Sequence, residues 1–154
     1  MNQAGSVRHI EVRRRRERLR ELGVDLEYFP HYRRREPLLH TVDVVLLTLI
    51  LRGRGRHIME DDAYEESGCS LGITHYGQPH SVVTDDAGME IMNIYLDLET
   101  YPLPILPGRL QHVLPEILPL HPGFQHRLNR IVRLKLDERG PVKGLAFAMY
   151  RELE

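Results

Sequence analysis

The feature that most constrains this chain is an apolar run at residues 42–51 (VDVVLLTLIL), followed by the glycine-rich segment 52–55 (RGRG). The run is rich in leucine and valine, and a more polar segment, 56–59, follows the glycines. Two extended segments around a short glycine turn predict a β-hairpin. The run is ten residues long and contains Asp43. It is therefore too short and too polar to cross a bilayer, which takes about 20 apolar residues.

Turn-forming residues recur every several positions after this run. Residues 60–62 (EDD) predict a second turn, ahead of a short strand around Tyr64. Residues 85–88 (DDAG) have Asp at the start and Gly at the end, which predicts a sharp reversal between strands at 81–84 and 89–97. Short strands separated by such turns predict an antiparallel sandwich or barrel.

Several of these residues together resemble the two sequence motifs of a small cupin barrel. They are His40, the glycines at 53 and 55, and Gly68 with residues 77–80 (GQPH) twelve residues further on. More narrowly, residues 38–97 resemble the N-terminal, effector-sensing domain of AraC-type transcriptional regulators. The resemblance implies a mainly β fold, a cupin-like antiparallel β-barrel or jelly roll with a C-terminal pair of α-helices.

The same resemblance divides the chain into three parts. It implies an N-terminal basic helix and arm at 1–37, a cupin-like barrel at 38–100, and a proline-rich exit segment with a helical dimerisation region at 101–154. The residue pattern supports the N-terminal part of this division. Residues 7–22 predict a helix that ends at Gly23, and residues 25–37 predict an extended arm. In the regulators such an arm lies near the mouth of the pocket, so Tyr28, Phe29 and Tyr32 are expected near the ligand.

The C-terminal part is expected to be helical. Three prolines at 101–108 exclude a central strand, and 124–136 predicts one helix with a second from Pro141 onward. The second helix carries an apolar stripe, which packs either on the barrel or on a second subunit. A homodimer interface is expected there, formed by Val142, Leu145, Ala146, Met149 and Leu153, with Tyr150 in the same stripe.

Composition and charge narrow the function. The chain has 154 residues and a net charge of −1, which argues against binding nucleic acid through a broad basic face. No pair of short helices of the kind that enters a major groove is predicted. Contact with DNA is therefore expected only through a domain missing from this chain. A single cysteine and no secretory signal predict a cytoplasmic protein without a disulfide, and no membrane partner.

Enzymatic cupins bind a divalent metal through a His-x-His pair, a Glu four residues later and a His of the second motif. In this chain His40 and His80 fall on matching places, but Val42 and Leu46 replace the second His and the carboxylate. Although His75 could add a third nitrogen, a metal site normally takes three or four protein ligands. We therefore expect no metal, no cofactor and no catalytic residues.

Replacing metal ligands with aliphatic residues makes an apolar floor, which suits a small organic molecule oriented by a few polar groups. Thr48 shares the parity of His40, Val42 and Leu46 and should face the same interior. A purely structural, hydrogen-bonded role is the alternative for each polar residue. The predicted ligand-binding residues are His40, Thr48, His75, His80, Asn93 and Tyr95.

The resemblance implies a non-enzymatic function: ligand sensing and dimerisation for an AraC-type regulator. A small organic effector, possibly a sugar, would bind in the barrel and shift the population of two arrangements of arm and helices, and so control an absent C-terminal DNA-binding domain. The alternatives are a metal-dependent cupin enzyme, such as an isomerase or dioxygenase, and a carbohydrate-binding or structural jelly roll.

Overall fold

A computed structural model describes residues 7–59, 62–103, 105, 108, 111, 132–138 and 140–154. Within them one sheet contains eight strands and three helices flank it. The strands are β1 (Arg8–Ile10), β2 (Val24–Tyr32), β3 (His40–Val42), β4 (Val45–Met59), β5 (Ala63–Ser67), β6 (Ser70–Thr74), β7 (His80–Leu96) and β8 (Val132–Lys135). The helices are α1 (Val12–Arg15), α2 (Glu17–Leu22) and α3 (Val142–Leu153).

Strands β4 and β7 form the centre of the sheet. The hydrogen-bonded order is β1-β3-β7-β4-β6-β8, with β2 also on β7 and β5 also on β4. All pairs are antiparallel except β1 with β3. The mainly β, cupin-like fold is thus confirmed, but the sheet is mixed and does not close into a barrel within the described residues.

The predicted hairpin at residues 52–55 is wrong. Strand β4 continues through these residues to Met59, and the register against β7 shifts between Gly53 and Gly55. A Cβ at Gly55 would overlap the carbonyl oxygen of Val83, and one at Gly53 would overlap that of Gly88. The glycines therefore serve a close approach of two backbones, not a turn.

The predicted reversal at residues 85–88 is also wrong. Thr84 pairs with Gly55 and Met89 with Gly53, so β7 runs in the same direction on both sides of this segment. The extra residues form a bulge in which Asp85 Oδ1 accepts the N–H groups of Ala87 and Gly88, at 3.0 and 3.1 Å. By contrast, the short strand around Tyr64 is confirmed as β5.

The single N-terminal helix predicted for residues 7–22 is divided into β1, α1 and α2. Arg16 is extended, with φ −109° and ψ 109°, and separates the two helices. The first helix begins where Asp43 Oδ1 accepts the backbone N–H of Val12 at 2.7 Å, and Gly23 ends the second in the left-handed conformation, as predicted. The predicted arm at 25–37 is extended, mainly as β2.

The predicted helix at residues 124–136 lies largely outside the described residues, but its last part is wrong. Residues 132–135 form β8, which pairs with β6. The final helix is confirmed as α3. No helix in the described ranges is long and apolar enough to span a membrane.

The two faces of the sheet are covered differently. One face carries Leu49 and Met92 and packs against α3 through Ala146. The opposite face carries Ile50 and Ile91, which pack with Val82 and Met89, and it borders the cavity described below. Side chains alternate between the faces because successive strand residues point in opposite directions.

A matched pair of glycine substitutions tests the close approach of β4 and β7. We expect Gly55→Ala to lower the free energy of unfolding by about 1–3 kcal/mol, because the methyl group has no space. Gly144→Ala, in α3, meets no atom within 4 Å, and we expect it to stabilise the protein by roughly 0.5–1 kcal/mol. Urea unfolding of both variants measures the difference. Equal stability of the two variants would contradict the close approach.

Candidate ligand-binding site

A cavity of about 270 Å³ lies on the sheet face opposite α3. Its size is close to the lower end of small-molecule sites, which run from about 300 to 1,000 Å³. Its polar lining residues are Arg8, Arg34, His40, Thr48, His80 and Asn93. Its apolar and aromatic lining residues are Ile10, Phe29, Tyr32, Leu38, Leu46, Val82 and Ile91.

The structure brings four of the six predicted ligand-binding residues to this cavity. They are His40 from β3, Thr48 from β4, and His80 and Asn93 from β7. Thr48 lies directly opposite Asn93 in the β4–β7 ladder, and His40 lies opposite His80 in the β3–β7 pair. Their binding of a ligand stays a prediction, but their convergence follows from the strand parity.

Tyr95 lies on the same face of β7 as Asn93 but does not line the cavity. Its hydroxyl accepts from Asn93 Nδ2 at 3.3 Å and donates to Glu27 Oε2 at 3.0 Å. Glu27 also forms an ion pair with Arg16, whose guanidinium carbon lies 4.2 Å from the centroid of the Tyr95 ring. Burial and the nearby Glu27 carboxylate raise the pKa of Tyr95 to about 12, so it remains a neutral hydroxyl.

His75 is also outside the cavity lining. It lies in the loop after β6, with only 1% of its surface exposed, and neither ring nitrogen has a hydrogen-bond partner in the described part of the chain. Burial lowers its pKa. Its backbone N–H donates to Gln78 Oε1 at 3.1 Å, so the main chain of this loop is held locally.

The sequence analysis missed both charged residues of the cavity, Arg8 and Arg34. Arg8 was assigned to a helix, and only the unexpected pairing of β1 with β3 brings it beside His40. Of the aromatic residues expected near the ligand, Phe29 and Tyr32 line the cavity. Tyr28 instead packs on the other face, with its ring centroid 5.1 Å from that of Phe147.

Three imidazoles form a row at one side of the cavity. The ring centroids of His40 and His80 are 4.4 Å apart, and those of His80 and His57 are 5.7 Å apart. Burial, together with the neighbouring His40, lowers the pKa of His80 to about 4. Burial, then His80 and Arg133, holds the pKa of His57 well below its ordinary value. Burial also lowers the pKa of His40, so the neutral form is favoured for all three rings near pH 7.

Beyond His57, on the side away from the cavity, the buried carboxylate of Glu66 pairs with the more exposed Arg133. Glu66 Oε1 accepts from Arg133 Nε of β8 at 2.9 Å, and Glu66 Oε2 accepts from the Ser70 hydroxyl at 2.8 Å. The same Oε1 lies 3.9 Å from His57 Nδ1, beyond hydrogen-bond distance. Sequence reasoning found neither His57 nor Glu66, because neither belongs to a recognised motif.

The donors do not fit the metal site of an enzymatic cupin. Val42 and Leu46, at two of the ligand positions, are buried in an apolar cluster. In the described part of the chain no group of three or more His, Cys, Asp or Glu residues is arranged to hold a metal ion. We therefore derive no metal chemistry from this site.

The predicted dimerisation stripe on α3 is divided between two environments. Ala146 is only 3% exposed and packs in the core, with Leu153 and Tyr150 beside the same cluster. Val142, Leu145 and Met149 are exposed by 37, 60 and 42%. Only these last three are available to a partner, and such contact stays a prediction.

Together the sheet and the cavity define a cupin-like domain with a site of ligand size. No family model and no curated protein matches the sequence. The fold is similar to that of solved structures of ToxT. ToxT from Vibrio cholerae O395, bound to (E)-4-(8-methylnaphthalen-1-yl)but-3-enoic acid, matches with a TM-score of 0.54 and 8% identity, over 86% of this chain and 49% of that one. Apo ToxT from Vibrio cholerae strain SCE256, with one substitution, matches with a TM-score of 0.52 and 6% identity, over 86% of this chain and 48% of that one.

An oxalate decarboxylase variant from B. subtilis also matches, at a TM-score of 0.41 and 14% identity, over 82% of this chain and 38% of that one. That similarity is too low to support an argument. The likeness to ToxT, at such low identity, shows the fold, and it confirms the cupin-like domain predicted from the sequence. This chain spans about half of the ToxT length.

The buried histidines predict how stability depends on pH. His80 has a pKa of about 4 in the folded protein against 6.5 ordinarily, so the unfolded chain binds more protons between these values. We expect the free energy of unfolding to fall as pH drops through this window, by up to about 1.4 kcal/mol per pH unit for His80. Urea unfolding at about pH 7 and about pH 5 measures the loss. In His80→Gln the loss should be smaller, and an unchanged loss would contradict the assignment.

Proposed function

We propose that this chain is the effector-binding domain of an AraC-type transcriptional regulator, and that the cavity holds a small organic effector. In that role it would control a helix-turn-helix domain elsewhere in the same protein. The observation that carries the proposal is the cavity itself, which combines apolar walls with four polar residues that were predicted from the sequence. It lies in a fold shared with ToxT, which is an AraC-family regulator.

The ToxT comparison supports an organic effector and indicates its general character. The molecule bound in that structure has an aromatic body and a carboxylic acid group. The cavity of this chain offers a comparable division, with aromatic and aliphatic walls and two arginines. A sugar, which the sequence analysis left possible, would need several hydroxyl partners, whereas seven of the thirteen described lining residues are apolar or aromatic.

A chain of hydrogen bonds offers a route by which ligand binding could reach the N-terminal helices. Asn93 lines the cavity and donates to Tyr95, Tyr95 donates to Glu27, and Glu27 pairs with Arg16 between α1 and α2. The Asn93 carbonyl oxygen has no partner among the described residues and is available to a ligand. A ligand that moved Asn93 would thus act through Tyr95 and Glu27 on Arg16, the residue that separates the two helices.

Filling the cavity tests the proposal. We expect Thr48→Phe to weaken effector binding more than about tenfold, roughly 1.4 kcal/mol or more, because the ring would occupy the cavity on this face of β4 and β7. Calorimetric titration of whichever compound stabilises the parent chain measures it. Thr48→Val, which keeps the volume, and Thr100→Phe, on the exposed surface, serve as controls. Equal affinity in parent and Thr48→Phe would place the site elsewhere.

The enzyme alternative makes a different prediction. Since Val42 and Leu46 are aliphatic, we expect protein purified without an affinity-tag metal to contain no stoichiometric transition metal. Elemental analysis tests this. One equivalent of metal that disappears in both His40→Gln and His80→Gln would favour the metal-dependent cupin enzyme.

We also propose that the chain forms a homodimer through the exposed ridge of α3, Val142, Leu145 and Met149. Apolar residues at this exposure on a helix otherwise packed to the sheet favour a two-fold contact.

Met149→Glu should weaken the dimer more than about 100-fold, roughly 3 kcal/mol, by burying an unpaired carboxylate. Sedimentation velocity measures the association. Lys143→Glu, exposed on the same helix, is the control, and a parent chain that stays monomeric would refute the proposal.

A further inference from the structure

One end of the cavity carries positive charge without any negative charge. Arg8 and Arg34 line it beside His40 and His80, and none of the described lining residues is acidic. The Arg8 side chain makes no hydrogen bond or ion pair with the described residues. Arg34 donates from Nε to the Tyr32 hydroxyl, 3.0 Å away, and forms no ion pair with them. Two guanidinium groups that face one cavity without a carboxylate indicate an anionic ligand.

The hydrogen bonds of the two histidines fix where each can take a proton. Nδ1 of His40 lies 3.1 Å from the carbonyl oxygen of Leu38, and Nδ1 of His80 lies 3.0 Å from that of Gln78. A carbonyl oxygen only accepts, so Nδ1 carries the hydrogen in both rings and Nε2 holds a lone pair. His80 is 1% exposed, and its Nε2 has no partner in the described part of the chain. Such a nitrogen repels an anion until it is protonated.

We propose that the cavity binds an organic acid as its anion, and that a proton is taken up with it. The carboxylate lies against Arg8, Arg34 and Nε2 of His40 or His80, and the apolar body packs on Leu46 and Ile91. One proton moves from solvent to Nε2 as the ligand enters and forms an N–H bond there, and no other covalent bond forms or breaks. The inference rests on the proposed function, because it names the chemical class of the effector.

The charges around the histidines explain why the proton arrives only with the ligand. His40 is faced by Arg8 and Arg34, whose charges add to burial in lowering its pKa. His80 is faced by His40 and His57, at 4.4 and 5.7 Å between ring centroids. Beyond His57 lie Glu66 and Arg133, which neutralise each other at 2.9 Å. The empty cavity therefore disfavours an imidazolium, and an anion inside it reverses that preference.

Matched acids and amides test the inference on the 154-residue chain. The probes are 4-phenylbutanoic acid and 2-naphthylacetic acid, each compared with its primary amide by calorimetric titration at mildly acidic pH. Repeating each titration in two buffers of different ionisation enthalpy counts the protons taken up. We expect the acids to bind more than about tenfold more tightly than the amides, with up to one proton per ligand. Affinity should fall by up to about tenfold per pH unit as pH rises between the free and bound pKa values.

Substitutions separate the contribution of the two arginines from that of the two histidines. Arg8→Gln and Arg34→Gln should weaken the acids and leave the amides unchanged. His80→Gln should reduce proton uptake, and His40→Gln provides the same test at a half-buried position that tolerates substitution more readily. Arg14→Gln and His31→Gln are the controls, since both side chains are exposed and lie outside the cavity lining.

Each outcome decides the matter. Equal binding of acids and amides, or binding without proton uptake, would overturn the inference. So would binding of a neutral compound such as a hexose when no acid binds, and that result would leave the proposed effector-binding function intact. If neither acids nor neutral compounds bind, the proposed function fails together with the inference.

Discussion

The close pairing of β4 with β7 is the constraint on which the rest of the structure depends. β4 is 15 residues long and β7 is 17, and every other strand attaches directly or through one neighbour to this pair. At its middle the backbones approach so closely that Gly53 and Gly55 cannot carry a Cβ. The bulge at residues 85–88 lies opposite these glycines and adjusts the register. Both the α3 face and the cavity face are built from this one ladder.

Local sequence patterns correctly predicted the features that depend only on residues close together in the chain. The apolar run at 42–51 and the parity of Thr48 were enough to predict a core strand and an inward side chain, because alternation is a property of each strand alone. The glycines at 53 and 55 were misassigned to a turn for a reason of the same kind. A missing Cβ permits a turn or a close backbone approach equally well, and only the partner strand decides between them.

What the sequence could not predict depends on contacts between distant segments. Residues 8–10 lie in an arginine-rich segment with good helix propensity, but pairing with β3 makes them a strand. Residues 132–135 likewise become a strand by pairing with β6. Such tertiary contacts override local propensity, and they place Arg8 at the cavity and Arg133 on Glu66. The positions of these two charges could therefore not be predicted from local sequence patterns.

The N-terminal arginines show how the fold uses charge that composition alone would assign to the surface. Arg13 bonds to Glu99 at 2.7 Å and lies 3.2 Å from Asp97, while Arg16 bonds to Asp25 at 2.9 Å. These pairs join the helices to β2 and to the end of β7. Arg16 and Arg13 are thus engaged within the chain, which agrees with the argument against a broad nucleic-acid face. Arg8 forms no ion pair with the described residues and lines the cavity instead.

Buried polar atoms near the cavity that have no hydrogen-bond partner also argue for a ligand-binding function. Burying a polar group without a partner costs about 1–3 kcal/mol, and cores normally satisfy such groups. Yet the Nε2 atom of His80, both ring nitrogens of His57 and the Asn93 carbonyl oxygen are buried without partners among the described residues. A residue selected for packing alone would be replaced by leucine or valine, as at positions 42 and 46. Of the buried atoms without partners, those of His80 and Asn93 belong to residues that line the cavity, where a ligand can supply the missing partners.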